Sequence, residues 1–223
     1  MGVLKCLGLA AIFLLFAQWS YAEVSATSLS NLEQGNQRFA MGESKHFDQR
    51  LMLKQNASSQ SPSAVILSCM DSRVPPEIIF NQKIGSLFVI RNAGNVENPD
   101  VLASLEYATQ VIHTPLIVVM GHTQCGAMAA ACEKVKLGNI TQLADSLQPP
   151  VREAERILHT KNCNDPKLVD EIARQNVLYQ IKMILHKSPV IAKLVLEKKV
   201  QIVGAMFNLQ TGKATLFQRL STK

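Results

Sequence analysis

The residue types best suited to chemistry stand directly after two apolar runs of the sequence. AVIL at residues 64–67 is followed by SCMDSR, and LIVVM at residues 116–120 is followed by GHTQCG. Side chains of an extended chain alternate between two faces, so Cys69, Asp71 and Arg73 point the same way if the backbone stays extended past residue 67. A soft metal ligand, an acid and a fixed cation then share one small space.

A metal site is the chemistry that this set favours. His122 and Cys125 stand three residues apart, a spacing at which both side chains can reach one ion. With Cys69 they form a Cys-His-Cys set that suits zinc, and three protein ligands leave one position for water, as in catalytic sites. We expect Asp71 to accept a hydrogen bond from that water or to take the fourth position itself, while Arg73 orients the carboxylate and keeps it ionised.

The charge of this ligand set predicts how activity depends on pH. Two thiolates cancel the formal charge of zinc, so the ion attracts its bound water less strongly than it does in a site with three neutral histidines. We therefore expect zinc-bound hydroxide to form above the pH of ~7 typical of three-histidine sites, and activity to be favoured by alkaline conditions. The competing interpretation, a structural zinc site, needs a fourth strong ligand, for which Cys132 and Cys163 are candidates.

The apolar pattern predicts the elements that position these residues. Short runs rich in β-branched residues fit strands buried on both faces, and helical patterns lie between them. Such alternation predicts an α/β fold with a mostly parallel central β-sheet flanked by helices, preceded by an N-terminal helical arm that ends near Gly42. The strand runs are residues 64–68, 87–90, 116–120, 200–207 and 214–217. The helical patterns after the arm are residues 99–112, 125–137, 151–159 and 166–186, the last followed by a further turn or two to residue 197.

The predicted sheet brings the polar segments together. Sites in parallel sheets collect beyond the carboxyl ends of the strands, and a polar segment that contains Gly94 follows the second strand run just as the two ligand-bearing segments follow the first and third. Arg91 and Asn92, at the start of that segment, could line the pocket or support the loop that carries Asp71, and we expect such support rather than a part in catalysis.

The first 22 residues read as a separate targeting segment. One cation at Lys5 precedes an apolar run at residues 7–17, and small residues at Ser20 and Ala22 predict a secretory signal cleaved after Ala22. A retained membrane helix is the alternative, but this run is shorter than the ~20 residues needed to cross a bilayer. We expect residues 23–223 to form a single exported domain, periplasmic in a Gram-negative bacterium and otherwise secreted, with no membrane attachment after cleavage.

The net charge indicates which binding partners are expected, and the cysteine content indicates whether a disulfide is expected. The net charge of +6 is scattered and lacks interleaved aromatic residues, which argues against a nucleic-acid surface. Beyond the ligand candidates, Cys132 and Cys163 remain, and a bridge between them is one alternative after export. We expect two unpaired buried thiols instead, because bridged Cα atoms must lie within ~7 Å and nothing in the sequence indicates such an approach.

These motifs resemble those of the β-class carbonic anhydrases. CMDSR fits the family pattern C-x-D-x-R, HTQCG fits H-x-x-C-G, and SRVPPE, VIRNAGN and SLEYA are similar to further family segments. The resemblance extends over roughly residues 29–217 and is densest over residues 60–132.

The resemblance implies an enzyme with one zinc ion per subunit that interconverts carbon dioxide and water with bicarbonate and a proton. It implies an obligate homodimer or larger homo-oligomer whose N-terminal arm packs on a partner subunit, although packing within one chain fits the same apolar residues. The implied zinc ligands are Cys69, His122 and Cys125, the implied catalytic dyad is Asp71 and Arg73, and the implied substrate-pocket residues are Gln60, Phe88 and Tyr107.

Three other functions use the same residues. One is hydrolysis of carbon disulfide or carbonyl sulfide on the same fold, and another is a zinc-stabilised assembly protein without turnover. A thiol redox role for Cys69 or Cys125 is the weakest alternative, because neither cysteine lies in a C-x-x-C motif.

Overall fold

The central element of the protein is a five-stranded sheet in the order β2-β1-β3-β4-β5. The computed structural model describes residues 23–219, so the predicted signal segment, residues 1–22, lies outside the described residues. The first four strands are parallel and β5 runs antiparallel to β4, which confirms the predicted mostly parallel sheet. The strands are β1 (Ala64–Cys69), β2 (Leu87–Asn92), β3 (Leu116–His122), β4 (Gln201–Phe207) and β5 (Ala214–Arg219).

Helices cover both faces of the sheet and confirm the predicted fold class. Helix α1 spans residues 23–40, and α4 continues directly into a π-helical turn, Tyr107–Val111. The other helices are α2 (Gln49–Gln55), α3 (Pro76–Ile79), α4 (Pro99–Glu106), α5 (Gly126–Cys132), α6 (Ile140–Ser146), α7 (Gln148–Leu158), α8 (Pro166–Lys187) and α9 (Pro189–Leu196).

Three helices and one helix end differ from the sequence prediction. Helices α2, α3 and α6 were not predicted, and α2 has no buried residue, so it carries no apolar period. The helix predicted over residues 125–137 ends at Cys132. Lys134 adopts a left-handed conformation with φ of 53°, which stops the helix there.

Burial on both faces explains why β1 and β3 form the middle of the sheet. Every residue of β1 and of β3 is buried. Alternate side chains enter opposite layers: Val65 and Leu67 pack toward α4, α8 and α9, whereas Ala64 and Ile66 pack toward α1 and α3. Because two layers enclose these strands, the polar residues at their carboxyl ends are held in a rigid frame.

In the described chain, α1 packs on its own subunit. Leu29 and Leu32 are buried in the core layer on that face of the sheet. Asn36 Nδ2 donates to the carbonyl of Gly212 at 2.9 Å, and Asn36 Oδ1 accepts from the Ala214 amide at 2.8 Å. These contacts are the packing within one chain that the apolar face of the predicted arm also allowed.

Cys132 and Cys163 form a disulfide, so the expectation of two unpaired thiols is wrong. The bond joins the last residue of α5 to the segment before α8, with a Cα–Cα distance of 5.7 Å. The two cysteines are 31 residues apart in sequence and meet only because α7 and α8 pack against each other and beside α5. Neither sulfur remains as a free thiolate.

Among residues 23–219, no helix combines the length and the apolar character that crossing a membrane requires.

Candidate metal centre

Two neighbouring strands and one helix position the three predicted metal ligands. Cys69 is the last residue of β1 and His122 is the last residue of β3, so both lie at the carboxyl edge of adjacent parallel strands. Cys125 follows at the N-cap of α5. The sulfur atoms of Cys69 and Cys125 are 4.0 Å apart, and the three ligand atoms all lie within 4.8 Å of one another in a buried cluster. The fold thus brings together the set that the sequence predicted.

His122 is oriented as a metal ligand requires. Its side chain is fully buried, and Nδ1 lies 2.9 Å from the main-chain oxygen of Thr123. That hydrogen bond places the proton on Nδ1 and leaves Nε2 as an acceptor, yet Nε2 has no hydrogen-bond partner among the described residues. A buried polar atom without a partner is rare in proteins and marks a position where an ion or a water molecule binds.

The two thiols share one hydrogen bond before any ion binds. The contact with Cys125 lowers the pKa of Cys69 to about 4, while the same contact and burial raise the pKa of Cys125 above its ordinary value. Cysteine binds a metal as the thiolate, so a bound cation would displace the proton that the two sulfurs share. Two thiolate sulfurs and an imidazole nitrogen are donors that zinc prefers, so the residues present fit a zinc ion.

Asp71 and Arg73 form a bidentate pair beside the cluster. Arg73 Nε donates to Asp71 Oδ1 at 2.9 Å and Nη2 donates to Oδ2 at 2.8 Å. These hydrogen bonds hold the pKa of the Asp71 carboxyl well below its usual range. Oδ2 also lies 4.0 Å from Nε2 of His122, too far for a hydrogen bond but at the border of the cluster. The structure thus places an ionised, oriented carboxylate next to the three ligand atoms.

Residues outside the two motifs hold the main chain of the site. Arg91 of β2 donates to the carbonyl oxygens of Cys69 and Asp71. Asp170 of α8 accepts from the main-chain amide of Gln124 at 2.7 Å. The sequence indicated a supporting role for Arg91, but nothing in its pattern pointed to Asp170, which looks like any polar residue on a helix.

Comparison with known proteins identifies the family. The sequence model of the family described as "Carbonic anhydrase" matches residues 64–214, which include all three ligand candidates and the dyad. The chain belongs to the carbonic anhydrase family.

Curated relatives of this carbonic anhydrase match along most of its length. "Carbonic anhydrase 2" of Mycobacterium tuberculosis is 35% identical over 191 residues, which cover 83% of this chain and 89% of that protein. The "Carbonic anhydrase" of Mycolicibacterium smegmatis is 33% identical over 195 residues, which cover 85% and 91%.

Solved structures assign this carbonic anhydrase to the β class. The β-carbonic anhydrase CcaA superposes with a TM-score of 0.69 at 27% identity, covering 85% of this chain and 95% of that one. One of two β-carbonic anhydrases from the fungus Sordaria macrospora, described as tetrameric, gives 0.68 at 26% identity, covering 78% and 87%.

The three predicted substrate-pocket residues lie away from the cluster within this carbonic anhydrase chain. Phe88 pairs with Val65, four residues along β2 from the partner of Cys69, which corresponds to about 13 Å. The rings of Phe88 and Tyr107 meet edge to face at 6.5 Å and line an apolar groove of about 430 Å³. Gln60 is exposed before β1, at the opposite end of that strand from Cys69. Their role in substrate binding stays a prediction.

Proposed function

We propose that this chain is a zinc enzyme that catalyses the reversible hydration of carbon dioxide to bicarbonate and a proton. The observation that carries the proposal is the buried Cys69–His122–Cys125 cluster with an ionised Asp71 at its border, in a chain of the carbonic anhydrase family. A bound zinc ion would supply the Lewis acid that makes water a nucleophile.

The dyad orients the reacting water. Asp71 is acceptor-only when ionised, so Oδ2, which lies 4.0 Å from His122 Nε2, would accept a hydrogen bond from a water molecule bound at the cluster and orient it. Arg73 occupies both carboxylate oxygens and fixes the plane of the group. Because the pKa of Asp71 is depressed, this carboxylate stays an acceptor throughout the neutral and alkaline range.

The disulfide supports a catalytic over a structural centre. A closed structural zinc site needs four strong protein ligands. Cys132 and Cys163 are bonded to each other, so neither offers a fourth thiolate, and the remaining neighbour is Asp71, which Arg73 already holds. A zinc ion held by Cys69, His122 and Cys125 would therefore have either water or Asp71 as its fourth ligand, not a fourth thiolate.

The aromatic groove is apolar enough for carbon dioxide, and its Phe88 lies about 13 Å along β2 from the cluster of its own chain. Phe88 and Tyr107 line it together with aliphatic residues, and carbon dioxide has no charge or hydrogen-bond donor to satisfy. We assign Gln60, Phe88 and Tyr107 to substrate binding on the strength of the family resemblance.

We also propose that the enzyme is a homodimer or a larger homo-oligomer. Strand β2 is at the edge of the sheet, and exposed edges invite pairing with another chain. Tyr107, on the turn after α4, meets Phe88 of β2 and is exposed over 50% of its surface, so apolar area lies beside that edge. Val111, on the same turn, is exposed over 57% of its surface. The Sordaria macrospora relatives are described as tetrameric, which agrees with this proposal.

Export to an oxidising compartment completes the proposal. The signal-like segment at residues 1–22 predicts it, and the Cys132–Cys163 disulfide supports it, because disulfides persist in secreted and periplasmic proteins. Cell fractionation tests this directly: the mature chain belongs with periplasmic or secreted markers, and recovery in the cytoplasm would end the proposal.

The activity is tested on the zinc-loaded mature chain, residues 23–223. Stopped-flow measurement of proton release from carbon dioxide should show hydration well above the buffer rate, with one zinc per chain by elemental analysis. The same protein is then offered carbon disulfide and carbonyl sulfide. Sulfide release without hydration would reassign the substrate, and neither reaction in a zinc-loaded protein would indicate a non-catalytic zinc protein.

A further inference from the structure

Arg91 holds by hydrogen bonds the segment that carries Cys69 and Asp71, at the point where β1 ends. The β1–β2 ladder ends at the pair Cys69 and Asn92, followed by one more bond from the Met70 amide to the Asn92 carbonyl at 3.0 Å. Arg91 then bridges two main-chain oxygens, with Nε donating to Cys69 at 3.0 Å and Nη2 donating to Asp71 at 2.6 Å. Within the part of the chain that the structure describes, no carboxylate lies within ion-pair distance of Arg91.

Asp170 forms a hydrogen bond with the second ligand-bearing segment, residues 122–125. Gln124 lies between His122 and Cys125 and adopts a left-handed conformation with φ of 55°, which a side chain with a Cβ rarely takes without support. The carboxylate of Asp170, on α8, accepts from the Gln124 amide at 2.7 Å. No lysine or arginine of residues 23–219 forms an ion pair with Asp170. Asp170 thus contacts the turn that carries two of the ligands.

We propose that Arg91 and Asp170 are positioning residues of the metal centre. Arg91 sets the main chain under Cys69 and Asp71, and Asp170 sets the turn over residues 122–125. Neither side chain touches a donor atom, so each acts through the backbone. The proposal rests on the proposed zinc function, because it concerns where the ligands of that ion are held.

The chemistry of the two contacts matches this task. Hydrogen bonds with an ionised partner are shorter and about twice as strong as neutral ones. The planar fork of arginine can reach two carbonyl oxygens at once, whereas the ammonium of lysine offers a point charge on a flexible stem. Partners of this kind, one step removed from the metal, typically change metal affinity or activity by about 10- to 100-fold when they are removed.

The test of Arg91 uses the mature chain loaded with cobalt(II) or zinc. Arg91→Gln should change the visible absorption of the cobalt form, because ligand geometry sets its bands, and should speed zinc release to a chelator by about 10-fold or more. Arg91→Lys should restore zinc retention only in part. Arg152→Gln is the matched control, since Arg152 is exposed on α7, and it should leave both readouts unchanged.

The test of Asp170 compares the loss of its carboxylate with the loss of its charge alone. Asp170→Ala should speed zinc release and alter the cobalt spectrum, whereas Asp170→Asn keeps an acceptor oxygen and should lie between Asp170→Ala and the wild type. Asp145→Ala is the matched control, because that carboxylate makes an exposed ion pair with Lys136 at 3.2 Å.

The outcomes separate positioning from stability and from the proposed function. A lower Tm in Arg91→Gln and Asp170→Ala with unchanged cobalt spectra and zinc release would overturn the proposal. If those variants fail to fold, the same comparison is made with Arg91→Lys and Asp170→Asn, which must then shift both readouts. If the variants alter the cobalt spectrum and zinc release but the zinc-loaded wild type hydrates no carbon dioxide, the positioning role stands and the proposed function is refuted. A wild type that binds neither metal overturns both.

Discussion

At the residue scale, the decisive feature is a carboxylate that stays charged beside a cluster of metal ligands. Asp71 has two partners of different kinds: Arg73 holds both of its oxygens, and the imidazole of His122 lies 4.0 Å from one of them. Arg73 is the larger influence on its ionisation, because its hydrogen bonds lower the pKa of Asp71 the most. Because the Asp71 carboxylate stays ionised at every working pH, it can accept a hydrogen bond in each turnover. Its own titration therefore does not create a pH optimum of activity.

Replacing Arg73 tests how the pair contributes to stability. The pKa of Asp71 is depressed in the folded chain, so the pair stabilises the fold above the unfolded value of ~3.9 and loses that effect as pH falls through the folded pKa. Arg73→Ala should therefore lower Tm at neutral pH, with a difference from wild type that is constant above pH ~5 and shrinks below ~4. Thermal unfolding across pH measures this. A difference that grows on acidification would contradict the assignment.

At the element scale, α5 is fixed at both of its ends. It begins after the ligand Cys125 and ends at Cys132, where the disulfide ties it to the segment before α8. This short helix also packs against α6, α7 and α8. The turn over residues 122–125 is thus joined to a helix whose last residue is held by a disulfide. This restraint keeps Cys125 in place relative to β1 and β3.

Removing the disulfide should destabilise the protein without removing the metal ligands. A closed loop of this length, with its cysteines 31 residues apart, restricts the unfolded chain and stabilises the fold by about 3–4 kcal/mol in the chain-entropy model. The double variant Cys132→Ser, Cys163→Ser should unfold at a lower denaturant concentration, and wild type treated with reductant should match it. Zinc content should stay at one per chain. Equal unfolding midpoints would show that the bond adds nothing.

The elements also show which parts of the structure could be predicted from the sequence. The apolar runs predicted all five strands, because burial on both faces leaves a continuous apolar segment, as in β1. The meeting of Cys69 and His122 followed from the rule that adjacent parallel strands end at the same edge. Helix α2 was missed because none of its residues is buried. The Cys132–Cys163 bond and the contact of Asp170 depend on how α7 and α8 pack, which no local pattern encodes.

At the scale of the whole molecule, the metal ligands and the exposed strand edge lie at different parts of the sheet. Its carboxyl edge holds the metal ligands, whereas its β2 side presents a strand edge and the aromatic groove. Both strands that end in a ligand, β1 and β3, are interior, with neighbours on each side. The rigid layers therefore hold the chemistry, and the exposed edge is the surface on which a second copy of the chain can pair.

A charge placed on the exposed turn after α4 should weaken self-association. Val111 is exposed over 57% of its surface on the turn that follows α4. Val111→Asp should shift the mass measured by light scattering from a dimer or larger species toward the single chain, because a buried unpaired carboxylate is costly. Leu137→Asp is the control, since Leu137 is 64% exposed on the segment between α5 and α6. An unchanged mass for Val111→Asp would move the interface elsewhere.

The most direct test of the central claim is stopped-flow hydration of carbon dioxide by the zinc-loaded wild type and by Asp71→Asn from about pH 6 to 9. The wild-type rate should rise toward alkaline pH, because two thiolate ligands offset the charge of the metal. Asp71→Asn should reduce the rate about 100-fold, as expected when the reacting water loses the carboxylate that orients it, while keeping the shape of the profile. A zinc-loaded wild type without hydration, or a variant as fast as wild type, would contradict the account.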